Sequence, residues 1–277
     1  MKNAIIFGAG GTGSLIYKLV KNDYNIVCFA DNNAEKIVIK EDKAVVCADS
    51  LLKYDYDCII IASLTGIHDI TEQLVRDFKI PREKIISKYC EQMLLSRVTF
   101  LSDFSKIVYD KNIQGSVAEV GVYRGEFAKY INRMFCDRKI FLYDTFDGFD
   151  IRDISYEHNN KLSNENVAHL NNTTVEIVLD KMHYKENCTI KKGYFPETFE
   201  EFEEKFCFVN LDTDLYNPIL SGLEHFYPLM SKGGVICIHD YFNSAYLGVK
   251  KAVDEFTGNN NLSIFPIGDG FSVAIIK

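Results

Sequence analysis

The chain of 277 residues is long for one compact domain and comfortable for two, and its 47% apolar and 25% charged composition is that of a globular protein. A net charge of −8 without any dense Lys/Arg block excludes a nucleic-acid or anionic-membrane footprint, leaving a small molecule or a soluble partner. The first residues enter a strand-like run, NAIIFGAG, with no basic region and apolar signal core, and no stretch of 18 apolar residues follows, so a cytoplasmic protein is expected.

Residues 1–87 alternate short apolar runs with helical periodicity. AIIFGAG reads as a strand, GSLIYKLVKN as a helix, NIVCFAD as a strand, KAVV as a short strand and DCIIIAS as a buried one. GIHDITEQLVRDF is a helix and EKIIS a last strand. This order predicts a parallel sheet covered on both faces, a small Rossmann-like α/β domain. The eight cysteines lie mostly inside such runs and nowhere form a C-x-x-C pair, so they are expected as free, buried thiols.

Residues 88–112 run helical without Gly or Pro, with Met93, Leu94, Val98, Leu101, Phe104, Ile107 and Val108 at three- and four-residue spacing. This predicts a connecting helix rather than a floppy linker. Over residues 113–277 a second series follows: SVAEVG, KIFLYD, CTIKKG, FCFVNLD and GVICIHD as strands, then LSIFPIGDGFSVAIIK as a hairpin turning at GDG. Five parallel strands closed by an antiparallel hairpin resemble the class I methyltransferase architecture. The polar stretch between its second and third strands, covering 146–172, is long enough for a lid over a site.

Two loops have nucleotide-like spacing. GAGGTG places Gly8, Gly10 and Gly13 between a strand and a helix, for a tight turn, close backbone approach and close helix packing. The helix N-terminus offers N–H groups to a phosphate, and Asp31 ends the next strand where ribose hydroxyls would be accepted. The small domain resembles the sugar-nucleotide-binding domain of bacterial sugar acetyltransferases, which implies a sugar nucleotide in preference to NAD. A tight turn in a vestigial domain is the alternative.

The second loop, EVGVYRGEFA, supplies Glu119, Gly121, Val122, Tyr123 and Gly125. S-adenosylmethionine carries no phosphate, so glycine here lets the backbone pass under its methionine part while a carboxylate meets the ammonium group. Asp144, with Thr145 after it, ends the next strand where an acid accepts both ribose hydroxyls. Gly193 and Tyr194, after the third strand, are expected to border the adenine.

LDTDLY and CIHDY finish two strands that are neighbours in this architecture, so Asp212, His239 and Asp240 are expected in one pocket. Carboxylates suit Mg²⁺, and an added imidazole makes Mn²⁺, Fe²⁺ or Zn²⁺ reasonable. Such an ion would stabilise an alkoxide as it forms. Asp214 has the alternative of capping the next helix, and His239 that of a structural histidine. Tyr241 is a candidate for acceptor contact.

VAEVGVYRGEFAKYIN, DTFDGF, KKGYFPETF, LDTDLYNPILSGLEHFYPLMSKGGVICIHDY and GVKKAVDEF, in this order over about residues 90–277, resemble the macrocin O-methyltransferase (TylF/MycF-type) family. The resemblance implies S-adenosylmethionine- and Mg²⁺-dependent methylation of a hydroxyl on a sugar or glycosylated metabolite. It makes Asp212 a metal ligand and base that also borders the cofactor, with His239–Asp240 in the place of a family Asp–Asp pair. His239 is then a ligand or, without metal, the base itself. A homo-oligomer is compatible with the sequence.

Two other function classes compete. An NAD(P)-dependent oxidoreductase would want a Tyr-x-x-x-Lys pair, and Tyr17/Lys21 and Tyr246/Lys250 have the spacing but not the setting. A non-catalytic nucleotide- or S-adenosylmethionine-binding protein would keep both loops and lack turnover.

Overall fold

Apolar runs of four to eight residues bounded by Gly, Asn and Asp become strands, and the amphipathic segments between them become helices. A computed structural model describes residues 1–34, 39–64, 66–200 and 204–277, and the chain divides into two compact units, Met1–Leu95 and Ser96–Lys277.

In the front unit the order is β1 (Lys2–Phe7), α1 (Gly11–Val20), β2 (Tyr24–Asp31), β3 (Ile39–Lys40), β4 (Lys43–Cys47), β5 (Cys58–Ile61), α2 (Ile67–Arg76) and β6 (Ile85–Ile86). Among the described residues these strands form one sheet in the order β3-β4-β2-β1-β5-β6. All pairings are parallel except β3 with β4. That two-residue strand was not expected from KAVV. It arises because Glu41 and Asp42 turn the chain with φ of 48° and 60°, the left-handed pair a two-residue hairpin needs. Ile5, Phe7, Cys28, Ala30, Leu51, Ile59 and Leu74 fill the core of this unit.

Helix α3 (Lys88–Asp110) carries the chain from the first unit into the second. There follow β7 (Ser116–Val120), α4 (Ala128–Met134), β8 (Ile140–Asp144), α5 (Ile151–Asn160), α6 (Val175–Lys181), β9 (Cys188–Lys192) and β10 (Phe206–Leu211). The unit closes with α7 (Tyr216–Phe226), β11 (Met230–Ile238), α8 (Leu247–Asn260), β12 (Phe265–Pro266) and β13 (Val273–Ile276). Among the described residues the sheet runs β12-β13-β11-β10-β7-β8-β9, parallel from β11 to β9 and antiparallel at the closing hairpin, as expected.

Both faces of this sheet are covered, so its strands read as continuous apolar runs. Ala118, Val120, Tyr143, Val209, Leu211, Ile236 and Ile238 face α7 and α8. Val117, Leu142, Phe208, Val235 and Cys237 pack with Leu101, Phe104 and Val108 of α3. The side-chain period of two therefore sends Glu119 and Asn210 toward the α3 face. Along α3 itself, Leu94 and Ile107, expected on the apolar stripe, are exposed at 41% and 45%, whereas Arg97 is buried. The buried row is Arg97, Leu101, Phe104 and Val108, with the arginine in a position that pattern reasoning reserves for an apolar side chain.

All eight cysteines are free, Cys47 and Cys136 being exposed. No helix among the described residues is long and apolar enough to cross a membrane.

Candidate functional site

Register brings the carboxyl ends of the central strands level: Leu211 pairs with Val120 and with Ile238, and Val120 pairs with Tyr143. The loops leaving those ends border one open cleft at the carboxyl edge of the sheet. Gly121, Tyr123, Asp144, Thr145, Gly193, Tyr194, Asp212 and Asp214 border it. Tyr123, Phe146, Asp214 and Asp240 hold φ between 49° and 63° around it, a cluster of backbone conformations costly for such residues and typical of functional sites.

The glycine loop is shaped by two neighbours. A Cβ on Gly121 would collide with the Asp212 carbonyl oxygen, and its φ is 83°, so only glycine serves there. Asp144 receives three backbone N–H groups, from Val122 at 2.8 Å, Tyr123 at 2.7 Å and Phe146 at 2.7 Å. Oδ2 takes the first two and so uses both its lone pairs, while Oδ1 takes the third and keeps one site for a further donor.

Not every expected loop residue borders the cavity. The Val122 side chain lies in the core, and Gly125 faces Val178 of α6 and Met182 just past it. Glu119 is buried beneath the loop, its Oε1 accepting from Asn210 at 2.8 Å and its Oε2 left without a hydrogen-bond partner. Burial, with the Asp212 charge added, pushes the Glu119 carboxyl up to about 8.

Asp212, His239 and Asp240 do converge, with one donor atom of each inside a span of 4.8 Å. His239 Nδ1 stands 3.1 Å from Asp212 Oδ1 and 2.5 Å from Asp240 Oδ2. The remaining oxygens are engaged elsewhere: Asp212 Oδ2 by Arg97 at 2.9 Å and Asp240 Oδ1 by Asn243 at 2.6 Å. Burial works against a charged ring, yet the two carboxylates outweigh it and raise His239 to about 10. Burial pushes Asp212 up, but His239 and Arg97 outweigh it and hold that carboxyl well below the usual range. Burial and the Asp240 and Asp212 charges drive Asp214 strongly upward instead. Asp214 is no helix cap, because α7 begins after Leu215 and its Tyr216 N–H goes to Glu157 at 2.8 Å.

Two carboxylates and an imidazole form a donor set that fits a divalent transition ion or Mg²⁺. An ion would take the place now held by the Nδ1 proton, since a ligating imidazole must be neutral.

The polar insertion contains α5 and is fastened at both sides of the cavity. Tyr123 Oη donates to Asn172 at 2.6 Å and Thr173 Oγ1 to the Tyr123 carbonyl. Tyr246 Oη donates to Glu165 at 3.2 Å. Gly148, Phe149, Asp150, Asp153 and Leu170 give it a share of the cavity wall. Asp153, which no sequence pattern singled out, is buried there and takes Tyr194 Oη and Asn217 Nδ2 on one oxygen, each at 3.0 Å.

Tyr241 differs from expectation. It is buried, donating to Asp254 at 2.7 Å and accepting from Lys250 at 2.8 Å, while Phe242 beside it is exposed. An alternating tail beyond β11 has no fixed face, so sequence gave no means to choose between the two aromatics. Lys250 thereby has no bond to Tyr246, and the Tyr-x-x-x-Lys spacing there forms no catalytic pair.

In the front unit, a Cβ on Gly8 or Gly13 would strike backbone oxygens of Ala62 or Gly8, whereas Gly10 has nothing within 4 Å. Asp31 braces this loop by accepting the Ala9 and Asn33 N–H groups, each at 2.8 Å.

The family model described as macrocin-O-methyltransferase (TylF) matches residues 92–268, and one described as C2185-like, N-terminal matches residues 1–86. The chain is 28% identical over 165 residues to a mycinamicin III 3''-O-methyltransferase of Micromonospora griseorubida, covering 54% of this chain and 63% of the relative. It is 24% identical over 164 residues to a demethyldecarbamoylnovobiocin O-methyltransferase of Streptomyces niveus, covering 54% and 60%. The chain thus spans less than two thirds of the length of these curated relatives.

Among solved structures, the O-methyltransferase NovP aligns with a TM-score of 0.53 at 21% identity, over 66% of this chain and 79% of that one. The calicheamicin methyltransferase CalS11 aligns with 0.54 at 16%, over 76% and 91%. These likenesses give the second unit the class I methyltransferase fold. With the family model matching well over half of its residues, the chain belongs to the macrocin-O-methyltransferase (TylF) family.

Proposed function

We propose that the protein is an S-adenosylmethionine-dependent O-methyltransferase acting on a hydroxyl of a sugar or glycosylated metabolite. The observation that carries this reading is the single cavity bordered by the Gly121 loop and Asp144 on one side and by Asp212 on the other, where Asp212 joins His239 and Asp240. Asp144 accepts one ribose hydroxyl on Oδ1 while keeping the loop N–H groups. An acceptor hydroxyl donates to Asp212, its oxygen forms a bond to the methyl carbon as the S–CH₃ bond breaks, and Asp212 takes the proton. Holding both reactants in line supplies much of the rate.

Asp212, His239 and Asp240 would hold a divalent cation, whose Lewis acidity favours loss of the hydroxyl proton. Because the ring nitrogen must first lose its proton, Mn²⁺ affinity measured by electron paramagnetic resonance should rise with pH below about 10, and a flat profile would remove His239 from the ligand set. Binding of S-adenosylhomocysteine by calorimetry tests the cofactor half of the reading, and no heat at millimolar protein would sink it.

For the front unit we propose a sugar-nucleotide pocket over Gly10, where a Cβ would meet nothing within 4 Å. Gly10→Val in the full chain should abolish binding of UDP-sugars without lowering the melting temperature. Absence of UDP-sugar and NAD(H) binding by the unaltered chain would favour the vestigial reading.

A further inference from the structure

We propose that Arg97 is a positioning residue for methyl transfer, holding one carboxylate oxygen of Asp212 so that the other faces His239. The inference rests on the reading that Asp212 meets the acceptor hydroxyl. Arg97 lies one turn before Leu101 on the buried row of α3, and β10 directs Asn210 to that same face. Its Nη2 donates to Asn210 Oδ1 at 3.0 Å and to Asp212 Oδ2 at 2.9 Å. Its guanidinium carbon lies 4.0 Å from the centre of the Phe127 ring, a contact that fixes the plane of the group.

The chain of contacts continues on both sides. Asn210 reaches Glu119 under the cofactor loop, and Asp212 reaches His239 and Asp240. Arg97 is therefore the junction between the cofactor strand and the acceptor end of the cavity. A carboxylate at a strand end with only His239 to hold it would be free to turn. A second cation on its far oxygen removes that freedom. Lysine could carry the charge, but its nitrogen ends short of the Nη2 position and it has no planar group to stack on the Phe127 ring.

Three variants separate positioning from simple support of the fold. In Arg97→Lys, a crystal structure should show the Asp212 carboxylate turned away from Asn210. The kcat should fall on the order of 100-fold, with the KM for S-adenosylmethionine and the calorimetric affinity for S-adenosylhomocysteine little changed. Arg97→Gln should be inactive and partly rescued by added guanidinium. Phe127→Leu keeps every charge and should lower kcat about tenfold, which keeps the test open if the buried arginine proves necessary for folding. Asp212 unmoved in the Lys variant, or kcat per folded molecule within about twofold of wild type in Phe127→Leu, would overturn the inference. If wild type transfers no methyl group to any sugar, the functional reading fails, whereas the position of Asp212 in Arg97→Lys still decides what Arg97 does.

Discussion

Asp212→Asn is expected to lower turnover by about 10²–10⁴-fold while leaving S-adenosylhomocysteine binding within a few fold. The amide keeps the shape of the side chain but cannot take a proton, and it withdraws the charge that both Arg97 and His239 face. The His239 ring, raised to about 10 by Asp212 and Asp240 against the pull of burial, should then titrate closer to its ordinary range, which nitrogen NMR reads directly. Leaving a buried arginine with one partner fewer should also cost about 3–5 kcal/mol of stability, so rates must be normalised to folded protein. Asp240→Asn is the companion. It spares the proton acceptor, so its loss of rate should be smaller and its effect on divalent-ion affinity larger. Equal rates for wild type and Asp212→Asn would remove Asp212 from the chemistry.

Asp144→Ala should weaken S-adenosylmethionine binding by about 10- to 100-fold, the value of one charge-assisted hydrogen bond to ribose. The effect is compounded because the same carboxylate holds the Val122, Tyr123 and Phe146 N–H groups and so sets the curve of the cofactor loop. Tyr123 and Phe146 sit at φ of 49° and 55°, conformations that this anchor helps to hold. Asp144→Asn separates the two roles, since one oxygen survives to accept while the charge is gone. Calorimetry on both variants measures the split. Unchanged affinity in Asp144→Ala would show that the ribose is held elsewhere.

The strands were legible because both sheets are covered on both faces, which leaves apolar runs of strand length between helical periods. The site was legible where strand-end position decides it: Asp144, Asp212, His239 and Asp240 follow directly from where β8, β10 and β11 stop. Arg97 was not, because it lies 115 residues from Asp212 and on a helix whose charged residues ordinarily face water. Its signal was an arginine within the row of Leu101, Phe104 and Val108, and the exposed Leu94 and Ile107 obscured that row. Tyr241 and Phe242 could not be told apart, since the chain past β11 follows no regular period. Glu41–Asp42 hid the β3–β4 hairpin because acidic residues are weak indicators of left-handed turn positions. Val122 and Gly125 match the loop pattern, yet one serves the core and the other the contact with α6.

We propose methyl transfer from S-adenosylmethionine to a sugar hydroxyl at Asp212. The direct measurement supplies trideuteromethyl-labelled S-adenosylmethionine with a panel of glycosides and sugar nucleotides and follows products by mass spectrometry with and without chelator. The expected result is a labelled ether on a sugar oxygen, formed together with S-adenosylhomocysteine, lost in Asp212→Asn and reduced by chelator. Cofactor binding without any labelled product, or full labelling by Asp212→Asn, would contradict it.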